Sequence, residues 1–158
     1  TLDLPLLYAI ISDMGKFQST KVIDLGSCAF RQPRATSHCK FIHGYRLRAK
    51  FWFEAQKLDI NNWVVDFGSL KPLKKRLEHQ FDHTLCISKD DPELLSFQRL
   101  TDNGTADVRI MDGVGIEMTS KWCYDAANEH LNDSTGGRCR CTKVEVWEHE
   151  GNSAIYGD

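Results

Sequence analysis

The stretch Tyr45-Arg46-Leu47-Arg48-Ala49-Lys50-Phe51-Trp52-Phe53-Glu54-Ala55 alternates residue by residue. Successive side chains on a strand project to opposite faces. Leu47, Ala49, Phe51 and Phe53 therefore lie on one face, and Arg46, Arg48, Lys50, Trp52 and Glu54 on the other. The run reads as a half-buried antiparallel strand. Upstream, residues 21–25 read as a second strand. Downstream, residues 59–63 supply a polar turn, after which Val64 and Val65 open a short strand ending at Asp66-Phe67-Gly68, with a hairpin as the simplest connection.

The period then changes. Leu70, Leu73, Leu77 and Phe81 recur at three- and four-residue spacings behind Ser69, which is placed to cap a helix. Asp90-Asp91-Pro92 introduces a short helical turn, residues 101–105 a polar loop, and residues 108–111 a small strand. A second helix is expected over residues 117–131, with Trp122, Cys123, Ala126, Ala127 and His130 on its inner stripe. The small and polar residues of 132–137 end it and lead into a last strand over 138–148. The predicted class is α+β, a four-stranded antiparallel sheet with two helices on one face. Its other face then needs a partner, which an oligomer supplies.

At 158 residues and 41% hydrophobic, the chain can bury one substantial core. Residues 21–158 form the expected domain and residues 1–20 an extension of unassigned role. Twenty Lys and Arg against 22 Asp and Glu leave a net charge of −2 with no basic block, which argues against nucleic acid as a partner. The apolar run of residues 2–11 is too short for a membrane helix of roughly 20 residues and carries Asp3, so no membrane association is expected. An extra strand, an oligomer contact and an added extension are all open for it, and the sequence does not decide among them. Six scattered cysteines without a CxxC pair read as reduced thiols of a cytoplasmic protein, and Cys139 and Cys141 as half-buried small residues on one strand face.

Chemistry concentrates in Ser37-His38-Cys39-Lys40-Phe41-Ile42-His43-Gly44-Tyr45, where two imidazoles, a thiol and a phenol stand ahead of the strong strand. This segment resembles the Cys-x-x-x-His-Gly-His signature of the 6-pyruvoyltetrahydropterin and 6-carboxytetrahydropterin synthase family, except that Tyr45 replaces the last histidine. Other segments follow in the family's order: residues 63–71 (Trp-Val-Val-Asp-Phe-Gly-Ser-Leu-Lys), Phe81-Asp82-His83, Glu117 at a helix start, and Val144-Glu145-Val146-Trp147-Glu148 followed by residues 152–156.

The resemblance implies a tunnelling fold whose subunits close an oligomeric barrel as a homotrimer or homohexamer. It implies a lyase that converts 7,8-dihydroneopterin triphosphate to 6-carboxytetrahydropterin, with loss of acetaldehyde and triphosphate, in 7-deazaguanine (queuosine) biosynthesis. The 6-pyruvoyltetrahydropterin branch and a non-catalytic pterin- or purine-binding module are the alternatives. Cys39 would transfer the proton at the substrate side chain, with Asp82 and His83 of a neighbouring subunit as its relay. A thiol becomes a competent base near neutral pH only beside a group such as an imidazole. Glu148 would anchor the pterin through two parallel hydrogen bonds, assisted by Glu117. Glu148 shares strand parity with Val144 and Val146, so its burial is expected to follow theirs. Arg31, Arg34, Lys40 and Arg46 would hold the triphosphate. The family's zinc sits on three histidines. Here His43 matches, Cys28 stands near the first position and His38 lies alongside, which gives Cys28, His38 and His43 as the expected zinc ligands, with a lost or altered metal as the alternative.

Overall fold

The computed structural model describes residues 1, 3–12 and 15–158, and for residues 11 and 12 the backbone alone. Six strands form one mixed sheet in the order β4-β3-β1-β2-β5-β6. They are β1 (Phe17–Phe30), β2 (His43–Ala55), β3 (Thr84–Ser88), β4 (Val108–Met111), β5 (Arg140–His149) and β6 (Asn152–Gly157). The helices are α1 (Leu4–Ser12), α2 (Lys71–Phe81), α3 (Leu94–Asp102) and α4 (Ile116–Thr135). Of the alternatives left open for residues 2–11, the extra strand does not form: the segment is helix α1 from Leu4 onward, and Leu2 lies outside the described residues. No described helix is long and apolar enough to cross a membrane.

Strands β1, β2, β5 and β6 pair antiparallel, as alternation demands, with Leu47, Ala49, Phe51 and Phe53 at 1% exposure or less. β3 and β4 add to the outer edge of β1 in parallel, which makes the sheet six-stranded and mixed rather than four-stranded and antiparallel. β3 is buried at all five positions, so it carries no alternation to read. β6 is mostly exposed and follows a tight turn at Glu150-Gly151.

Helices α2 and α4 cover one face. Leu73, Leu77 and Phe81 from α2 and Cys123, Ala126, Ala127 and Leu131 from α4 join the main core against the sheet. Each large apolar side chain so buried stabilises by about 1.5–3 kcal/mol. Phe81 meets Trp122 edge to face at 5.2 Å. Helix α3 lies on the opposite face, where Phe97 packs with Leu85, Ile87 and Ala29 in a second, smaller core. Over β2 and β5 that opposite face is polar and aromatic, with Lys50 and Lys143 over Trp52 and Arg48 over Trp147.

Two local expectations change. Val64 and Val65 are buried in a loop, not a strand, and Arg138 holds that loop by donating to the carbonyls of Lys57 and Val64. The cap ahead of α2 is Asp66, whose carboxylate accepts from Gly68 N at 2.8 Å at the head of a 3-10 turn (Phe67–Leu70). Ser69 only returns its hydroxyl to Asp66 O. All six cysteines are free thiols, and Cys139 and Cys141 are fully buried.

Candidate functional site

The connection between β1 and β2 carries the reactive residues, and four interactions fix it. Arg31 donates from Nε and a terminal nitrogen to both oxygens of Asp91, at 2.8 and 2.7 Å. Gln32 N donates to Cys39 O at 2.9 Å and Gln32 Nε2 to Val114 O at 3.0 Å. Ser37 Oγ accepts from Cys39 N at the head of a 3-10 turn (His38–Lys40). The Arg31 guanidinium holds the Asp91 carboxyl below the ordinary carboxylate value.

Beside this loop lies a cavity of about 530 Å³, large enough for a bicyclic heterocycle. Cys39, His43, Glu117 and Glu148 all line it, with Gln32 and Asn152. Glu148 is half-buried rather than buried with Val144 and Val146, because the register shifts between Trp147 and His149 as the strand ends. Its carboxylate accepts from Asn152 Nδ2 at 2.8 Å, which orients it and leaves its other oxygen without a donor among the described residues. Glu117 stands exposed in the first turn of α4. Among the described lining residues there is no Lys or Arg, so the cavity offers hydrogen-bond acceptors and negative charge. Such a lining suits a ligand edge rich in N–H donors.

The expected triphosphate cations are largely committed elsewhere. Arg31 is bound to Asp91, Arg34 to Asp90, and Arg46 to Asp24. Lys40 lies over the ring of Phe41.

Asp82 and His83 are not in this cavity. Asp82 caps the C-terminus of α2, and its Oδ1 accepts from His83 Nδ1 at 2.8 Å and from Ser27 N at 3.1 Å. His83 sits in the left-handed region at φ 60°, anchored by its own N–H to Ser27 O at 2.7 Å, and its side chain is 84% exposed. Gly26 at φ 89° makes room: a Cβ there would meet Asp82 Oδ1 at 2.1 Å. The pair is thus built rigidly and presented outward.

The expected zinc ligands do not converge. Cys28 is 2% exposed and lies in the core, where its Sγ is 3.5 Å from Cys86 Sγ and within reach of Thr84. Hydrogen bonding to Cys28 and burial hold the Cys86 thiol well above its ordinary value. His38 is exposed on the 3-10 turn. His43 alone has ligand-like geometry, with Nδ1 donating to Phe41 O at 2.7 Å and Nε2 left as an acceptor. Among the described residues no group of three or more His, Cys, Asp or Glu could hold a metal ion. The residues present do not fit the family's zinc.

The β1–β2 register pairs Phe30 with His43 and Cys28 with Tyr45. Sequence reasoning passed over Phe30, and also over Gln32 and Asn152, whose roles depend on contacts made across the fold. Gly44, between the two β2 residues, lets β1 pass closely, since a Cβ there would lie 2.6 Å from Cys28 O.

A sequence profile described as 6-pyruvoyl tetrahydropterin synthase matches residues 22–158. The chain belongs to this family. Among curated proteins, the 6-carboxy-5,6,7,8-tetrahydropterin synthases of Rickettsia conorii and Rickettsia felis are 40% and 39% identical over 57 residues. That stretch is 35% of this chain and spans about two fifths (41%) of each relative's length. An uncharacterized protein from Wolinella succinogenes has the same fold, with a TM-score of 0.76 at 16% identity over 91% of this chain and 99% of its own. The 6-pyruvoyl tetrahydropterin synthase of Plasmodium falciparum aligns with a TM-score of 0.62 at 14% identity, over 89% and 98% of the two chains.

Proposed function

We propose that the cavity binds a pterin and that the protein is a 6-carboxytetrahydropterin synthase-like lyase acting on 7,8-dihydroneopterin triphosphate in 7-deazaguanine biosynthesis. The observation that carries pterin recognition is the half-buried Glu148, oriented by Asn152 in an acceptor-rich cavity that also holds Cys39. One carboxylate oxygen remains for the 2-amino and ring N–H donors, and Glu117 offers a second acceptor. Cys39 is the group placed to move a proton at the substrate side chain. The outward Asp82–His83 pair would reach such a cavity in a neighbouring copy of a homotrimer or homohexamer.

A second reading, a pterin- or purine-binding module without turnover, is favoured by one observation: Cys28, His38 and His43 do not assemble a ligand set. The 6-pyruvoyl branch shares the same recognition and differs in product. The test is pterin binding by fluorescence titration, run beside mass spectrometry of product formed from 7,8-dihydroneopterin triphosphate. Wild type and Cys39→Ala are expected to bind alike, with 6-carboxytetrahydropterin formed by wild type only. Binding without product would leave the module, and absence of binding would overturn both readings.

A further inference from the structure

In an antiparallel pair, directly opposed residues share a face, and residues two apart on one strand do too. Phe30 opposes His43, and Tyr45 follows His43 by two, so these three side chains occupy one patch where β1 and β2 meet. Their ring centroids lie 5.0 Å (Phe30–His43), 5.8 Å (His43–Tyr45) and 6.2 Å (Phe30–Tyr45) apart, and the His43–Tyr45 contact is edge-on at 87°. His149 adds a fourth ring at 6.0 Å from Tyr45.

We infer that this ring cluster stands where a three-ligand metal centre would be built, and that the protein binds its pterin without a resident metal ion. The inference rests on the pterin reading of the cavity and deepens it. Phe30 offers no donor atom, is 5% exposed and is packed in the core, so it cannot yield its place to a ligand. Tyr45 is packed against the same core, and a phenol oxygen is a poor match for an ion that takes nitrogen and sulfur donors. The nearby sulfur of Cys28 is engaged with Cys86 and Thr84. Of the three paired positions one imidazole remains, that of His43, while His149, on the far side of Tyr45, has its Nδ1 taken by Gly151 N at 3.0 Å. With Nδ1–H committed to Phe41 O, His43 presents Nε2 as a hydrogen-bond acceptor at the edge of the cavity. It therefore joins Glu117 and Glu148 as a third group complementary to ligand N–H donors.

The test is elemental analysis of protein expressed with added zinc and then desalted, together with pterin titration with and without a chelator. Wild type is expected to retain under about 0.1 zinc per chain and to bind pterin with an affinity that the chelator changes less than about twofold. Phe30→His/Tyr45→His is expected to acquire about one zinc per chain, because three imidazoles on one patch supply a three-nitrogen set. Stoichiometric zinc in wild type, lost in His43→Ala, overturns the inference. So does a pterin affinity that the chelator abolishes. If the double variant does not fold, the wild-type measurements alone decide. Metal-free protein that binds no pterin would uphold the empty metal position while refuting the function proposed above, so the two failures are distinguishable.

Discussion

Replacing Asp91 by Asn removes one charge from the bidentate pair that pins the start of the site loop. The Asp91 side chain is fully buried, while that of Arg31 retains 19% exposure and stacks over Phe97 at 5.5 Å. Removing one partner of a buried pair costs about 3–5 kcal/mol, chiefly because the other charge is left buried and unpaired. Residual solvent access to Arg31 places the loss near the lower end, about 3 kcal/mol. For a chain of this size that is a fall in Tm of about 6–12 °C. Urea and thermal unfolding of Asp91→Asn, Arg31→Gln and the double variant measure it. The double variant should recover part of the loss, because it strands no charge. Single losses below about 1 kcal/mol, or strict additivity in the double variant, would refute the reasoning. The pH dependence has a fixed sign. The folded value of Asp91 is depressed, so its contribution is complete above the unfolded carboxylate value of about 3.9 and is lost as pH falls through the folded value. The gap between wild type and Asp91→Asn should therefore close below about pH 4.

Glu148→Gln should weaken pterin binding by about 10- to 100-fold, the worth of a charge-assisted hydrogen bond, while leaving unfolding midpoints nearly unchanged. An unaltered dissociation constant in fluorescence titration would remove Glu148 from the site. Gly26→Ala should cost at least about 1–2 kcal/mol, because it strains a residue at φ 89° and drives a methyl group into Asp82. Its amide spectrum should shift first at Ser27 and His83, and a silent substitution would show that the bulge tolerates a side chain. Leu77→Ala, at a position with no exposure under the sheet, should lose about 2–5 kcal/mol in denaturant, and a smaller loss would mean that α2 collapses into the space.

What could be read from the sequence followed from periodicity. The β2 alternation and the α2 stripe were legible because each side chain's environment repeats at the period of its element. β3 was not, since Thr84, Leu85, Cys86, Ile87 and Ser88 are all buried between layers and leave no period to detect. Val64-Val65 looked like a strand because buried loop residues and buried strand residues share a composition, and the hydrogen bonds from Arg138 come from far along the chain. At the site, Cys39, His43, Glu117 and Glu148, which the family resemblance named, line one cavity. Cys28 was named for the first-strand position because the register that puts Phe30 opposite His43 is not visible in the sequence. Register is set by pairing across the sheet, including the shift between Asp24 and Gly26, and neither residue announces it locally.

Phe30 ends β1 with two neighbours, His43 on β2 and Cys86 on β3. The first partner follows after a short loop and the second only after α2 has been traversed. Closing a short loop costs less entropy than closing a long one, so the β1–β2 hairpin should order before the parallel side of β1. Pulsed hydrogen exchange during refolding would show β2 amides protected ahead of those of β3 and β4, and simultaneous protection would contradict this order. On the ribosome the same asymmetry leaves the outer edge of β1 bare until β3 has been synthesised. In that interval the half-made sheet presents an unpaired strand edge, the kind of surface that recruits chaperones or other nascent chains.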